Sequence, residues 1–202
     1  MLKQLWTVAL GLIPLTVPAL AEPVNERGYF VGCDGADCLL VASGFRFYVR
    51  ADGTMGAKLL AGLDPMTAVT FAGEMLSVGD ISADLDLTEV ALVPDDLLQD
   101  TLRALQGDWH PDGEGTPFFL RISGLEWQEI TPPDEVNGAY LISAGTTCAN
   151  GVEPGGPALV LHALGGDPDA AACWQVQYID DTTLELRDFM GDWGLVTYSR
   201  QD

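Results

Sequence analysis

Short stretches in which apolar and polar side chains alternate dominate the chain. In one of them, Trp174, Val176 and Tyr178 alternate with glutamines. Successive side chains of a β-strand point to opposite faces of the sheet, so this alternation predicts a strand with one buried face. Asp180-Asp181 then turns the chain into a second alternating run. Together the two runs predict a β-hairpin.

Runs of this kind fill the C-terminal half of the chain. Eight of them begin at Gly107 and are separated by Gly, Pro, Asn and Asp residues that are typical of turns. They lie near residues 107 to 110, 118 to 123, 125 to 131, 138 to 145, 158 to 164, 173 to 179, 182 to 188 and 194 to 200. Eight successive strands suit a closed up-and-down barrel, which we predict for residues 107 to 202.

The first half of the chain shows a similar but shorter pattern. Residues 45 to 50 alternate in character and precede Asp52-Gly53, a pair typical of hairpin turns. Further strands are predicted at residues 67 to 72 and 83 to 92. These runs predict a small β-rich domain over residues 22 to 93, whose topology the pattern leaves open. The predicted fold class is mainly all-β.

One segment has helical periodicity. Leu98, Leu102 and Leu105 recur at the spacing that places side chains on one face of a helix. Pro94-Asp95-Asp96 precedes them and supplies capping and negative charge at the N-terminus, and a glycine follows where helices often end. We predict a helix over residues 94 to 106 that packs its leucines on a sheet and links the two β-rich domains.

The N-terminus has the pattern of a secretory signal. Lys3 precedes an apolar stretch over residues 5 to 20, and Ala19-Leu20-Ala21 places small residues at the positions that signal peptidase recognises. An uncleaved membrane anchor is the alternative, but two prolines interrupt the stretch. We predict that residues 1 to 21 are a cleaved signal peptide. The protein is then periplasmic or secreted, without a membrane anchor.

Four cysteines in an exported chain predict disulfide bonds. Cys33 and Cys38 flank a turn-forming sequence that lets their sulfur atoms approach. Cys148 and Cys173 would close a longer loop, which the chain-entropy model equates with about 3 kcal/mol of stability. Four cysteines allow three pairings, and we expect these two. Metal binding is the alternative, but neither a Cys-x-x-Cys spacing nor a nearby histidine accompanies the cysteines.

The chain is strongly acidic. It has 9 basic and 30 acidic residues and a formal net charge of −21. Removing residues 1 to 21 takes away one lysine and no acid, which leaves 8 basic against 30 acidic residues, or −22. This charge repels phosphate backbones and anionic membranes, so we expect no nucleic-acid partner. A solvated surface that keeps an exported monomer soluble is sufficient to explain the acids.

The two ends of the predicted barrel carry a family resemblance. Gly107-Asp108-Trp109 opens the barrel with a Gly-x-Trp pattern, and Tyr198-Ser199-Arg200 closes it with an aromatic residue and an arginine. Residues 107 to 200 thereby resemble the lipocalin-like, or calycin, barrels, and a small bacterial relative in particular. The resemblance implies that Trp109 packs across the barrel bottom and that Arg200 lies over its ring in a cation–π contact.

A second resemblance is carried by Cys173-Trp174, Leu184-Glu185-Leu186 and the terminal aromatic strand. These features look like the periplasmic metalloprotease-inhibitor family, another disulfide-bearing eight-stranded barrel. The resemblance implies an inhibitor that inserts its N-terminal segment into a protease cleft. In this chain the corresponding segment is residues 22 to 26, and an additional β-rich domain follows it.

No constellation of residues nominates a reaction. The two histidines, His110 and His162, fall in different predicted strands without metal-ligand spacing, and nucleophile-elbow, zinc-helix and phosphate-loop patterns are missing. Acidic pairs lie at turns, where a glycosidase-like pair stays an open alternative. So does a weak calcium site in the acidic loops at residues 110 to 115 and 166 to 169. We expect a protein that is not an enzyme and that has no cofactor or metal.

Aromatic residues in the predicted barrel favour a binding function. Trp127, Tyr140, Trp174 and Tyr178 are candidates to line its interior, and an eight-stranded barrel is just wide enough to hold one small apolar ligand. The alternative is that these side chains fill the interior completely. We therefore expect an exported binding protein for a small hydrophobic molecule. A protease inhibitor and an envelope accessory protein with a basic partner are the alternatives.

Overall fold

Two closed β-barrels follow one another along the chain. The computed structural model describes residues 22–51, 54–113, 118–148, 151–165, 171–191 and 193–201. The predicted signal peptide and the predicted Asp52-Gly53 turn lie outside the described residues. Strands make up 61% of the structure and the helices are two short ones, so the prediction of a mainly all-β fold is confirmed.

The first barrel has five strands: β1 (Glu22–Asp34), β2 (Asp37–Ala42), β3 (Phe45–Arg50), β4 (Thr67–Val78) and β5 (Ser82–Leu92). Their order around the barrel is β1-β2-β3-β5-β4, with β3 and β5 parallel and the other pairs antiparallel. A helix, α1 (Met55–Leu60), lies between β3 and β4, and the Thr54 hydroxyl caps it by accepting from the Ala57 amide. This strand order with a helix in that position is the topology of an OB-fold.

The second barrel has eight strands: β6 (Gly107–Pro111), β7 (Phe119–Ser123), β8 (Glu126–Thr131), β9 (Glu135–Gly145), β10 (Ala158–Ala163), β11 (Ala172–Ile179), β12 (Thr183–Asp188) and β13 (Leu195–Arg200). Each strand pairs antiparallel with the next, and β13 pairs with β6 to close the barrel. The predicted eight-stranded barrel is confirmed. Observed and predicted strand ends differ by no more than three residues.

The helix predicted for residues 94 to 106 is shorter than expected. It is α2 (Gln99–Ala104), because Asp95 adopts a φ of 57°, outside the range of a right-handed helix. The Asp96 carboxylate accepts hydrogen bonds of 2.8 and 2.9 Å from backbone amides at the start of the helix, which is the capping role expected of this segment. Leu102 is 1% exposed, so the leucine face packs inward as predicted.

One hydrophobic core cluster spans both barrels. It contains first-barrel side chains that include Tyr29 and Met66, the leucines of α2, and the interior of the second barrel. A separate cluster fills the inside of the first barrel around Phe47 and Phe71. An ion pair between Arg46 of β3 and Glu126 of β8 also joins the two barrels. The shared apolar cluster and this ion pair hold the two barrels against each other.

The β2–β3 turn of the first barrel packs on His162 of the second. A Cβ placed on Gly44 would lie 2.5 Å from the imidazole ring, and Gly44 has a φ of 74°. The ring also forms a hydrogen bond with Ser143, with an Nε2 to Oγ distance of 3.0 Å. Burial lowers the pKa of His162. The histidine is therefore part of the joint between the barrels.

Candidate functional site

Trp109 and Arg200 lie together at one end of the second barrel. Trp109 is 0% exposed, and the guanidinium carbon of Arg200 lies 4.3 Å from the centroid of its ring. Arg200 also donates to the carbonyls of Gln106 and Ala104 at 2.6 and 2.7 Å. The indole N–H of Trp109 donates to the Leu105 carbonyl at 2.8 Å. These contacts attach the end of α2 to the barrel and close this end.

Three of the four predicted ligand residues lie on the interior face of the second barrel. Trp127 and Tyr140 are direct cross-strand partners on β8 and β9. The ring centroids of Trp127 and Trp174 are 6.2 Å apart. Trp127 is 1% exposed, whereas Tyr140 and Trp174 are partly exposed. Solvent therefore reaches Tyr140 and Trp174 but hardly reaches Trp127.

The fourth predicted ligand residue, Tyr178, does not line the interior. It is 49% exposed, and its hydroxyl donates to the Asp180 carboxylate at 2.6 Å. The pairing of β11 with β12 shifts register between Val176 and Tyr178. Such an irregularity breaks the two-residue alternation on which the prediction depended. The expectation that Tyr178 shares the face of Trp174 is corrected accordingly.

The sequence pattern missed a carboxylate on the interior face. Glu129 is the cross-strand partner of Leu120 on one side and of Gly138 on the other. Cross-strand partners share a face of the sheet, and Leu120 is 0% exposed inside the barrel. The Glu129 side chain therefore faces the interior, and it is partly exposed to solvent.

Glu129 and Arg200 lie at opposite ends of the second barrel. Three antiparallel pairings in succession, β13 with β6, β6 with β7 and β7 with β8, make β8 and β13 run in opposite directions. Both residues are near the C-terminal ends of their strands, so they lie towards opposite ends of the barrel. We call the end that contains Glu129, with the rings of Tyr140 and Trp174, the barrel mouth; Trp127 lies one interior position deeper along β8. The Arg200 plug thus closes one end, and the partly exposed interior residues Glu129, Tyr140 and Trp174 lie towards the mouth.

The polar groups of the barrel mouth influence one another. Burial raises the pKa of Glu129, an effect that the nearby indole N–H of Trp127 partly opposes. Burial raises the pKa of Tyr140 and Tyr198, and the Glu129 carboxylate adds to both increases. A Cβ on Gly138 would lie 3.0 Å from Glu129 Oε2 and 3.0 Å from the Tyr140 hydroxyl. The Glu129 carboxylate and the Tyr140 hydroxyl therefore lie close together above Gly138.

Both predicted disulfides are present. Cys33 and Cys38 face each other across β1 and β2, with an S–S distance of 2.04 Å. Cys148 and Cys173 are joined with a Cα–Cα distance of 5.7 Å and form a small buried cluster with Ala158 of β10. Disulfides are typical of oxidising compartments outside the cytoplasm. The predicted non-cytoplasmic environment fits this chemistry.

A groove of about 530 Å³ opens on the first barrel where β3 and β5 separate. Their pairing ends at Tyr48 and Asp84, although both strands continue. The charged residues that line the groove are Asp37, Asp84, Asp86 and Arg50, three carboxylates against one guanidinium. Tyr48 is 39% exposed and also lines a neighbouring cavity of about 390 Å³ beside the Cys33–Cys38 disulfide.

Potential metal ligands are spread apart in the described residues. In that part of the chain no three His, Cys, Asp or Glu side chains lie close enough to hold an ion. The two acidic loops that we considered for calcium lie partly or wholly outside the described residues, at 114–117 and 166–170. His110 stacks on Phe119, with ring centroids 4.7 Å apart.

No protein-family model, curated protein or solved structure matches the chain. Within the described ranges, neither helix has the length and apolar character needed to span a bilayer. Fold and site define a disulfide-bonded β-protein of two barrels, five-stranded and eight-stranded.

Proposed function

We propose that the protein is a non-enzymatic binding protein of the periplasm or the extracellular space, which holds a small apolar ligand in the barrel mouth. The observation that carries the proposal is the set of interior aromatic rings, of which Tyr140 and Trp174 are partly exposed at the end opposite the Arg200 plug. Aromatic walls with access from one end are typical of ligand sites in the mouths of β-barrels.

The proposal extends to a relationship with the lipocalin-like barrels. Eight antiparallel strands in up-and-down order and the stacking of Arg200 on Trp109 support it. The acidic composition supports the absence of a nucleic-acid partner, because the negative charge repels phosphate groups. The two disulfides support an oxidising compartment.

A fluorescence titration tests the barrel site. N-phenyl-1-naphthylamine, a neutral apolar probe that brightens in apolar surroundings, is expected to give a saturable signal with one site per chain. Trp174→Ala removes one aromatic wall and is expected to weaken binding about tenfold. Tyr178→Ala is the matched control, because it removes a ring from the same strand that lies outside the barrel. Absence of saturation, or equal losses in both variants, removes the barrel site.

A second candidate function uses the groove on the first barrel. The groove presents three carboxylates beside the exposed side chains of Tyr48 and Leu76. This combination of negative charge and apolar surface suits a basic protein segment. This candidate corresponds to an envelope accessory protein with a basic partner. A pull-down at low and high salt tests it, because salt releases a partner held by charge. Asp86→Asn is expected to weaken capture, whereas Glu135→Gln, which removes an exposed acid of the second barrel, is the control.

The protease-inhibitor alternative receives less support. Residues Glu22 to Glu26, the segment that would enter a protease cleft, pair with β4 over Met75 to Phe71. A segment held in a sheet must leave it before it can enter a cleft, at the cost of its ladder hydrogen bonds. Inhibition assays against secreted metalloproteases and serine proteases test this candidate, and we expect no inhibition through the N-terminal segment.

A further inference from the structure

Glu129 is an ionisable group inside a barrel that has no ionic partner there. Among the described residues, the ion pairs are Arg27 with Asp96, Arg46 with Glu126, Arg103 with Asp100, and Arg121 with Asp108. The Arg200 guanidinium lies at the opposite end of the barrel and donates to backbone carbonyls. A carboxylate withdrawn from water without a counter-charge lowers stability, so its presence requires an explanation.

The surroundings of Glu129 are aromatic. Trp127 is 1% exposed, and its indole N–H is directed towards the carboxylate but finds no hydrogen-bond partner of normal geometry in the described part of the chain. Tyr140 and Tyr198 lie close enough for the carboxylate to raise their pKa. The faces of aromatic rings carry negative partial charge and attract cations, so rings and carboxylate favour the same kind of ligand.

We propose that the barrel mouth binds a small ligand with a protonated amine on an apolar body, with Glu129 as its counter-ion and the aromatic rings as its walls. The inference rests on the barrel-mouth function proposed above and names its ligand class. The amine supplies the missing positive charge, and the apolar body contacts the interior beyond it.

Other ligand classes fit these groups less well. An anion is repelled by Glu129. A neutral apolar molecule would cover the partly exposed carboxylate without supplying a counter-charge, which costs free energy. A metal ion finds no group of three acidic, histidine or cysteine ligands around Glu129 in the described ranges. A primary or quaternary ammonium group needs only one carboxylate and an aromatic wall.

Two matched probes separate the ligand class from the existence of the site. 2-Phenylethylammonium and 2-phenylethanol have nearly the same size and differ in charge, and NMR titration measures their affinities. The protein is expected to bind the amine at least about tenfold more tightly than the alcohol. Glu129→Gln, which keeps the shape and removes the charge, is expected to abolish that preference. Glu135→Gln removes one exposed acid and is expected to preserve it.

The outcomes are distinct. Equal affinities for amine and alcohol, unchanged in Glu129→Gln, overturn the ammonium class and leave the barrel-mouth function standing. Binding of neither probe overturns both. Circular dichroism checks that Glu129→Gln is folded, which we expect because the substitution removes an unpaired interior charge. Gly138→Ala gives a second test: its methyl group would lie 3.0 Å from Glu129 Oε2 and is expected to weaken binding of both probes.

Discussion

Arg200, the last residue of the last strand, lies over the ring of Trp109 in the first strand of the eight-stranded barrel, 4.3 Å from its centroid. The same guanidinium donates to two carbonyls at the end of α2. One side chain thus joins the C-terminal strand, the N-terminal strand and the linking helix. We expect this plug to be a main source of stability for the closed end of the barrel.

Arg200→Ala removes both charge-assisted hydrogen bonds and the cation–π contact. We expect it to lower the free energy of unfolding by about 2–4 kcal/mol, measured by urea denaturation. The control is Arg187→Ala, which removes an exposed arginine of β12 and is expected to change stability by less than about 0.5 kcal/mol. Similar effects in the two variants would mean that the plug is not a specific source of stability.

The eight-stranded barrel was predictable because its strands obey simple alternation. Leu184 and Leu186 are both 0% exposed, as their alternation with polar neighbours predicts. Antiparallel neighbours joined by short turns pair in sequence order, so the topology follows once the strands are known. The two disulfides were predictable for a related reason, since turn residues bring Cys33 and Cys38 together.

The first barrel was less predictable because its elements lack such patterns. The first half of β1, from Glu22 to Glu26, is mostly polar and exposed or partly exposed, and it gave no alternation to detect. Helix α1 has only six residues, too few to establish a period. The parallel pairing of β3 with β5 joins strands that are distant in sequence. Local patterns do not encode such a pairing.

The candidate site was predictable in its aromatic residues and missed in its charge. Trp127 and Trp174 follow the period of their strands, which places them inside. Glu129 lies two residues after Trp127 and therefore shares its face, but thirty acidic residues in the chain concealed it among surface acids. Tyr178 was misplaced because a shift in strand register leaves no mark in the residue pattern. Two-residue spacing from a buried aromatic was the signal that could have found Glu129.

The contact between Gly44 and His162 makes a prediction about the joint between the barrels. Alanine at position 44 would have a strained φ of 74° and a methyl group 2.5 Å from the imidazole ring. Gly155→Ala is the control, because Gly155 has a φ of 84° and nothing within 4 Å of the new methyl group. We expect thermal denaturation to show that Gly44→Ala costs at least about 1 kcal/mol more than Gly155→Ala. Equal stability losses in the two variants would mean that backbone strain alone causes them, and that the contact with His162 tolerates a methyl group at position 44.

The two disulfides close loops of different length, so their removal should differ in cost. Cys148 and Cys173 are separated by 25 residues, and Cys33 and Cys38 by 5. The chain-entropy model gives a loss of about 3.5 kcal/mol for the longer loop and about 2 kcal/mol for the shorter one. Urea denaturation of the two double Cys→Ala variants measures both losses. Each bridge has one cysteine that is 0% exposed, Cys38 or Cys173, but Cys33 is exposed whereas Cys148 is 3% exposed, so part of the larger loss for the longer loop also comes from burial. A larger loss for the short loop would contradict the entropic account.

Asp96 anchors the linker before α2 to the first barrel. Its side chain is 1% exposed, forms an ion pair with Arg27 and lies 3.4 Å from the Tyr29 hydroxyl. Burial raises the pKa of Asp96, but the hydrogen bonds from Arg27 and from the amides of Leu98 and Gln99 lower it by more, so the pKa lies below its ordinary value. A carboxyl with a depressed folded-state pKa stabilises the fold fully above its unfolded pKa of about 4, and the contribution is lost as the pH falls through the folded value.

Asp96→Asn should therefore destabilise the protein in a way that depends on pH. At pH 7 we expect a loss of about 1–3 kcal/mol in the free energy of unfolding, because Arg27 loses its partner. As the pH falls through the depressed pKa of the folded Asp96 carboxyl, the wild-type group protonates, so the difference between the two proteins should shrink. Urea denaturation across pH 3 to 7 measures it. Asp95→Asn is the control, since asparagine tolerates the φ of 57° at that exposed position and should show little loss at any pH. A loss from Asp96→Asn that stays constant with pH would mean that the lost stability does not come from the charge of the Asp96 carboxylate.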